Sequence, residues 1–256
     1  MTDEIPTKKR KITKKFNFPN YKEYDGTEPE FIELENLLNH MFPNSTIKDY
    51  AMTIFAGCLC GKITDKIISF CGDPLCKDIF NELIFNSFKN YIFSMCYDDL
   101  LMSNCVRCDF NTKDIRLLKL YNETSETMSD LLFERFVNKE PMVFKSNEKS
   151  GITKLNCSVL MDHENDYTYP KKFNDRYVII PFSDKVKLST SEHTKEDYVL
   201  DYCNVRKYVH PFLWLLLNKC SIKKIDKYSK VKFLGFTKYI TDDICDQIYG
   251  FIDPQF

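Results

Sequence analysis

The stretch Ile67-Ile68-Ser69-Phe70-Cys71-Gly72-Asp73-Pro74-Leu75-Cys76-Lys77-Asp78 decides the fold. Its first five residues make an apolar run too short for a helix, and the Gly-Asp-Pro triplet behind them is strong turn punctuation. A fully buried strand over 67–71 is expected, turned by 72–74. A helix should follow over about 77–90, where Ile79, Phe80, Leu83, Ile84 and Phe88 repeat with helical spacing. A buried strand feeding a helix is the unit from which parallel sheets are built.

The same alternation extends in both directions. Upstream, Thr27 with Glu30 three residues later reads as a capping box, and Pro29 suits a first turn. Phe31, Leu34, Leu38 and Met41 then share one helical face until Pro43. A second helix is expected over 45–60, closed by Gly61. Downstream, strands are expected at 115–121, 155–161 and 177–182, with a helix at 128–137 between them. Residues 195–220 should hold one long helix or two, broken near Pro211, and the tail a strand at 230–236 and a helix near 241–251. The expected fold is therefore α/β and helix-rich: a parallel sheet flanked by helices over residues 27–256, behind an extended N-terminal arm over 1–26.

Composition limits the function classes. Hydrophobic residues make up 43% and charged residues 29% of 256, as in a globular chain. There are 21 Phe and 15 Tyr but 7 Gly, which favours many rigid contacts and few hinges. The net charge of −1 is unevenly spread: residues 1–16 carry Lys8, Lys9, Arg10, Lys11, Lys14 and Lys15 against Asp3 and Glu4, leaving that segment at +4 and the remainder at −5. Bulk charge therefore gives the body no nucleic-acid footprint. The basic cluster reads as a nuclear localisation signal, a nucleic-acid arm, a solvated tail, or an assembly arm that pairs with the acidic body of another copy. The longest apolar run, 212–217, is too short to span a bilayer, so no membrane role is expected.

Phe42-Pro43, Tyr50 and Ala56-Gly57-Cys58-Leu59-Cys60-Gly61, then the strand into Cys71-Gly72-Asp73-Pro74 with Asn90-Tyr91 behind its helix, resemble in that order the superfamily 3 helicase ATPase domain of large DNA viruses. Arg116-Leu117-Leu118-Lys119-Leu120-Tyr121-Asn122-Glu123 is similar to the strand that ends in that family's acidic metal motif. Asn174-Asp175-Arg176-Tyr177-Val178-Ile179-Ile180-Pro181-Phe182 is similar to its arginine motif, and Phe212-Leu213-Trp214-Leu215-Leu216-Leu217 to its C-terminal helix. The resemblance implies a degenerate AAA+-like sheet.

It also implies a nucleotide site whose parts are missing. A phosphate loop needs G-x-x-x-x-G-K-[ST]: glycines let backbone amides face the phosphate, the lysine neutralises it, and the hydroxyl holds magnesium. Here the run is Gly72-Asp73-Pro74-Leu75-Cys76-Lys77-Asp78, with no second glycine and a carboxylate where the hydroxyl belongs. The family's sensor asparagine is replaced by Asp162 or His163, and its glycine pair is absent from 134–140. Glu123 survives as a metal ligand or an exposed acid, and Arg176 as a remnant arginine finger or an ion-pair partner. Phosphoryl transfer depends on positioning and charge neutralisation together, so no ATPase activity and no cofactor are expected.

The cysteine count of 11 is high, and the N-terminus has no secretory pattern, so a reducing compartment is expected, with disulfides forming late if they form. Cys105-x-x-Cys108 has the spacing of half a zinc site but no second pair. Cys60, Cys76, Cys105, Cys108 and Cys245 are the candidate cross-linking residues. The four histidines, His40, His163, His193 and His210, sit beside no nucleophile signature. These features suggest a helicase domain repurposed as a non-catalytic viral structural protein. It would self-assemble, as an occlusion-body or polyhedrin-like matrix does, in the host nucleus, with copies of itself and virions as partners. The alternative is an inactive accessory protein of viral replication that binds DNA or the active helicase.

Overall fold

The computed structural model describes residues 22–96, 106–107, 115–121, 130–138, 140–145, 150–154, 157–162 and 175–219. The basic residues Lys8 to Lys15, Cys105, Cys108, Glu123, His163 and Cys245 lie outside the described residues, as do the expected tail strand and helix.

Helix α1 (Pro29–Met41) buries Leu34, Leu37, Leu38 and Met41 along one stripe. Its start departs from the expected capping box. Glu28 is the N-cap and makes no side-chain cap bond. Thr27 instead donates its amide and its hydroxyl to Oδ1 of Asp25, at 2.8 and 2.7 Å. Proline at the first helical position moves the cap one residue beyond Thr27, and the Asp25-Gly26 turn claims the threonine. Helix α2 (Ser45–Leu59) is capped by Asn44, whose Oδ1 accepts the Ile47 amide at 3.0 Å. It ends as expected at Gly61, where Lys62 N donates to Gly57 O and Gly61 N to Cys58 O, the paired closure that favours a left-handed residue.

Strand β1 (Ile67–Gly72) leads into α3 (Pro74–Phe88), a 3-10 turn (Lys89–Tyr91) and β2 (Ile92–Cys96). After β3 (Val106–Arg107) come β4 (Leu117–Tyr121), α4 (Asp130–Val137), β5 (Pro141–Lys145), β6 (Ser150–Lys154), β7 (Ser158–Asp162) and β8 (Tyr177–Phe182). Then β9 (Val186–Leu188), β10 (Tyr198–Leu200), a 3-10 helix (Tyr202–Tyr208) and α5 (Val209–Lys219) follow. Pro211 does not break a long helix as expected. It lies in the first turn of α5, where its missing N–H removes no helical bond.

The main sheet has five strands in the order β2-β4-β7-β1-β8, and every pairing within it is parallel. The side strands form a parallel β9–β10 pair and a β3-β5-β6 sheet whose β5–β6 pairing is antiparallel. Alternate residues of each central strand face opposite layers. Ile68, Phe70, Leu117, Leu160, Val178, Ile180 and Phe182 join α1, α2, α3 and α5, while Ile67, Leu118, Leu120, Val159 and Met161 join α4 through Phe133 and Phe136. Covering both faces is what allows the strands to read as continuous apolar runs.

Phe80 of α3 lies at the centre of the larger layer. The rings of Phe42, Phe55, Phe70, Phe182 and Phe212 stand 5.4, 5.4, 5.7, 5.4 and 5.7 Å from its own. That packing fixes α3 against β1 and β8, and so fixes the junction between β1 and α3.

Candidate functional site: a closed strand-to-helix junction

Ligands of open parallel sheets sit beyond the carboxyl ends of the strands, so the β1–α3 junction is the place to look. One residue, Asp73, separates the end of β1 at Gly72 from the start of α3 at Pro74. The helix thus begins three residues earlier than expected, because Pro74 is pre-set for a first turn and Asp73 for its cap. Oδ1 of Asp73 accepts the Cys76 amide at 2.9 Å. The helix N-terminus, where a phosphate would be received, is occupied by the chain's own carboxylate.

Gly72 is held by two constraints. Its φ is +98°, and a Cβ there would collide with the backbone carbonyl of Phe182 on β8. The glycine serves close strand packing rather than a phosphate cradle.

Lys77 and Asp78 follow in the first turns of α3. Lys77 is only 7% exposed. Its ammonium draws on the Cys71 thiol, although burial dominates there and pushes that thiol up to about 12. Asp78 is exposed, and its carboxyl is raised above the ordinary value by burial of its inner side and by Asp162 beside it, with Lys119 and Lys77 opposing.

Asp162 ends β7 on the face that meets α3. It accepts Lys119 Nζ at 2.8 Å and Asn81 Nδ2 at 2.9 Å, both on Oδ2. Of the two candidate sensor positions, this one is spent on an internal pair; the other, His163, is outside the described residues. Lys119 and Asn81 were not singled out from the sequence. The available signal was a lysine in the middle of an apolar strand, Leu117-Leu118-Lys119-Leu120, which requires an acid on the next strand or helix. Among the described residues, Lys77 and Lys119 face three carboxylates at this edge, Asp73, Asp78 and Asp162, which leaves no positive excess to attract an anion. A one-residue link, an internal carboxylate cap and a cluster without positive excess do not fit a triphosphate and its metal.

Arg176 is separated from this cluster within the chain. It directly precedes β8, whose Tyr177 pairs with Ile67 and whose Phe182 pairs with Gly72. At about 3.3 Å per residue, Arg176 is on the order of 20 Å from Gly72, at the opposite end of the sheet. Its side chain is 46% exposed and its Nε is 3.6 Å from Asp175.

Among the candidate cross-linking cysteines, Cys76 is free and fully buried in α3. Cys60 is disulfide-bonded. Among the described residues, no cluster of His, Cys, Asp and Glu could hold a metal, and no helix is long and apolar enough to cross a membrane.

No protein-family model matches the sequence, and no curated protein matches it significantly. Solved structures do. An apo structure of the NrS-1 C-terminal region superposes with a TM-score of 0.53 at 14% identity, covering 91% of this chain and 64% of that one. A second apo structure of that region gives 0.52 at 16% identity, with the same coverage. The JCV helicase gives 0.43 at 9% identity, covering 85% of this chain and 65% of that one. The chain therefore spans under two thirds of the length of these structures, and identities this low speak to the fold alone. That fold is the expected mixed α/β one, with a parallel five-stranded sheet flanked by helices.

Proposed function

We propose that this chain is a non-catalytic protein on a helicase-like fold, which neither seats nor hydrolyses ATP. The observation that carries the reading is the Asp73 cap. An anion already satisfies the amide that a phosphate would use, in a junction too short to wrap one. Releasing that carboxylate would cost the cap and would still leave a negative group beside the incoming charge. Fluorescent-ATP titration and phosphate release with magnesium test it. Saturable binding at micromolar nucleotide would sink the reading.

The use we propose for this scaffold is self-assembly as a viral structural protein, in a lattice of the occlusion-body kind. Its support is the split between residues 1–16 at +4 and the rest of the chain at −5, together with the aromatic-rich composition. Sedimentation of the full chain at low and high salt tests this. Growth of large species at low salt, lost when Lys8, Lys9, Arg10 and Lys11 are changed to Gln, is the expected result; a monomer under all conditions defeats it. The second reading, an inactive accessory factor of viral replication, is favoured by the helicase-like fold itself. Co-purification with an active helicase would support it in place of the first.

A further inference from the structure

Helix α3 and the 3-10 helix Tyr202–Tyr208 pack side by side and share one outer face. Two relationships align them there. Nε of Arg206 stands 3.9 Å from Oε1 of Glu82. Burial, and then the carboxylates of Asp78 and Glu82, raise the Tyr202 hydroxyl above its ordinary value, so that ring lies beside the same stretch of α3. Phe85 is three residues on from Glu82 and is therefore its neighbour on the helix surface.

Phe85 is 49% and Tyr202 44% exposed, and they are the two aromatic residues among the exposed large apolar side chains of the described residues. The core does not use Phe85: α3 faces inward through Cys76, Ile79, Phe80, Leu83, Ile84 and Phe88. A single exposed ring needs no explanation. Two rings flanking one arginine have the composition found at the centres of contacts between proteins.

The charges say what fits between them. The Glu82–Arg206 pair is loose, and the Arg206 side chain is 86% exposed with no other partner among the described residues, so its fork can receive a second carboxylate. The face carries both signs, Asp78 and Glu82 on α3 and Arg206 on the 3-10 helix. A uniformly acidic partner would meet the two carboxylates, and a uniformly basic one would meet Arg206. The same face turned about a two-fold axis meets neither conflict: Arg206 of each copy stands against Glu82 of the other, with the four rings between them.

We propose that the face formed by Glu82, Phe85, Tyr202 and Arg206 is a two-fold contact between copies of this chain. The proposal rests on the self-assembly reading and gives it a dimeric unit. Four half-covered rings bring on the order of 400 Å² to the contact, below the roughly 1,200 Å² of a stable complex. The dimer is therefore weak, forming in the upper micromolar range, and sensitive to each of the four residues.

Sedimentation equilibrium tests this on the full chain with Lys8, Lys9, Arg10 and Lys11 changed to Gln, which should lose the large species and keep the dimer. In that background Phe85→Ala, Tyr202→Ala, Arg206→Glu and Glu82→Arg should each weaken dimerisation at least tenfold, the loss of one contact hot spot. An unchanged urea midpoint in Phe85→Ala shows that the fold is intact. Mixing Arg206→Glu with Glu82→Arg should restore the dimer, because one copy then presents two acids and the other two bases at the crossed positions. A dimer that the four changes leave alone, or that mixing does not restore, overturns the proposal. A monomer at every concentration in the Gln background, beside large species from the unmodified chain at low salt, overturns this face and leaves the lattice reading standing. A dimer restored by mixing, with no large species from the unmodified chain, supports the face and retires the lattice.

Discussion

Oδ1 of Asp73 accepts the amide of Cys76 at 2.9 Å, closing the N-terminus of α3 with a carboxylate three residues upstream. This bond makes separate predictions for stability and for ligand binding. Asp73→Ala should cost about 1 kcal/mol, the usual value of a lost N-cap, while Asp73→Asn should retain most of it. Neither variant should bind ATP, since the link would still be one residue long. Urea unfolding and nucleotide titration of the same samples check both halves. Nucleotide binding gained by Asp73→Ala would mean that the cap alone had blocked the site.

Gly72 and Gly61 both adopt positive φ, at +98° and +78°, but they oppose substitution differently. A methyl group on Gly72 meets the backbone carbonyl of Phe182 in the neighbouring strand, which cannot move without breaking the β1–β8 ladder. On Gly61 it meets the guanidinium of Arg116, the far end of a long side chain. Gly72→Ala should therefore cost more than Gly61→Ala, on the order of 3 kcal/mol against 1. Denaturation midpoints that rank the two the other way would contradict this reading of the junction.

The Asp162–Lys119 pair predicts a coupling to Asp78. Removing the Asp162 charge as Asn takes away a like charge from Asp78, so the Asp78 carboxyl should fall toward its ordinary value, readable by carboxyl NMR titration. The sign for stability follows. Asp78 is raised in the folded state, so its charge is a penalty at neutral pH. That penalty fades as pH drops through the folded value and is gone below the unfolded one, about 3.9. Asp78→Asn should stabilise at pH 7 and have no effect near pH 3. The gain should be small, because solvent screens an exposed carboxylate. Asp162→Asn should itself destabilise, since Lys119 is only 19% exposed and would lose its acid.

These relationships show which parts of the molecule the sequence makes legible. β1 and β8 were readable because both of their faces are buried, so the apolar run and its Gly or Pro borders are unmistakable. Helix α2 was readable because Asn44 and Gly61 punctuate both ends. β2 was not, because Ile92-Phe93-Ser94-Met95-Cys96 directly follows the aromatic end of α3 with only a 3-10 turn between. The 3-10 helix Tyr202–Tyr208 was read as α-helix for a similar reason: its side-chain spacing is near helical, and only the hydrogen bonding differs. At the junction, the absence of a second glycine was plain in the sequence. What replaced the phosphate was not, because a cap bond and a Lys119–Asp162 pair join residues whose proximity only the folded sheet creates.

Burial should govern thiol chemistry in the native state. Among the described free cysteines, Cys203 alone is exposed, while Cys58, Cys76, Cys96 and Cys157 are buried. Cys71 is intermediate in exposure, with its thiol pushed up to about 12 by burial. The thiolate is the reactive species, so at pH 8 Cys71 should resist alkylation even where reagent can reach it. Brief iodoacetamide treatment followed by peptide mass spectrometry should find Cys203 modified first and Cys76 unmodified until denaturant is added. Native labelling of Cys76 as fast as Cys203 would show that the start of α3 opens, and with it the junction on which the non-catalytic reading depends.

Phe80 and Phe85 lie on the same helix and test whether that opening is held shut by packing. Phe80 is fully buried, with five rings 5.4 to 5.7 Å from its own, whereas Phe85 is 49% exposed. Phe80→Leu should cost about 1–2 kcal/mol and Phe80→Ala about 3–5, since the surrounding rings belong to four other elements and the Phe42 segment and cannot all collapse into the space. Phe85→Ala should stay within about 0.5 kcal/mol. If the ring cluster is what clamps α3 to β1, then Phe80→Leu should also speed Cys76 alkylation, and Phe85→Ala should not. Equal effects on Cys76 from both variants would locate the clamp elsewhere, in the Asp73 cap or the Gly72–Phe182 contact.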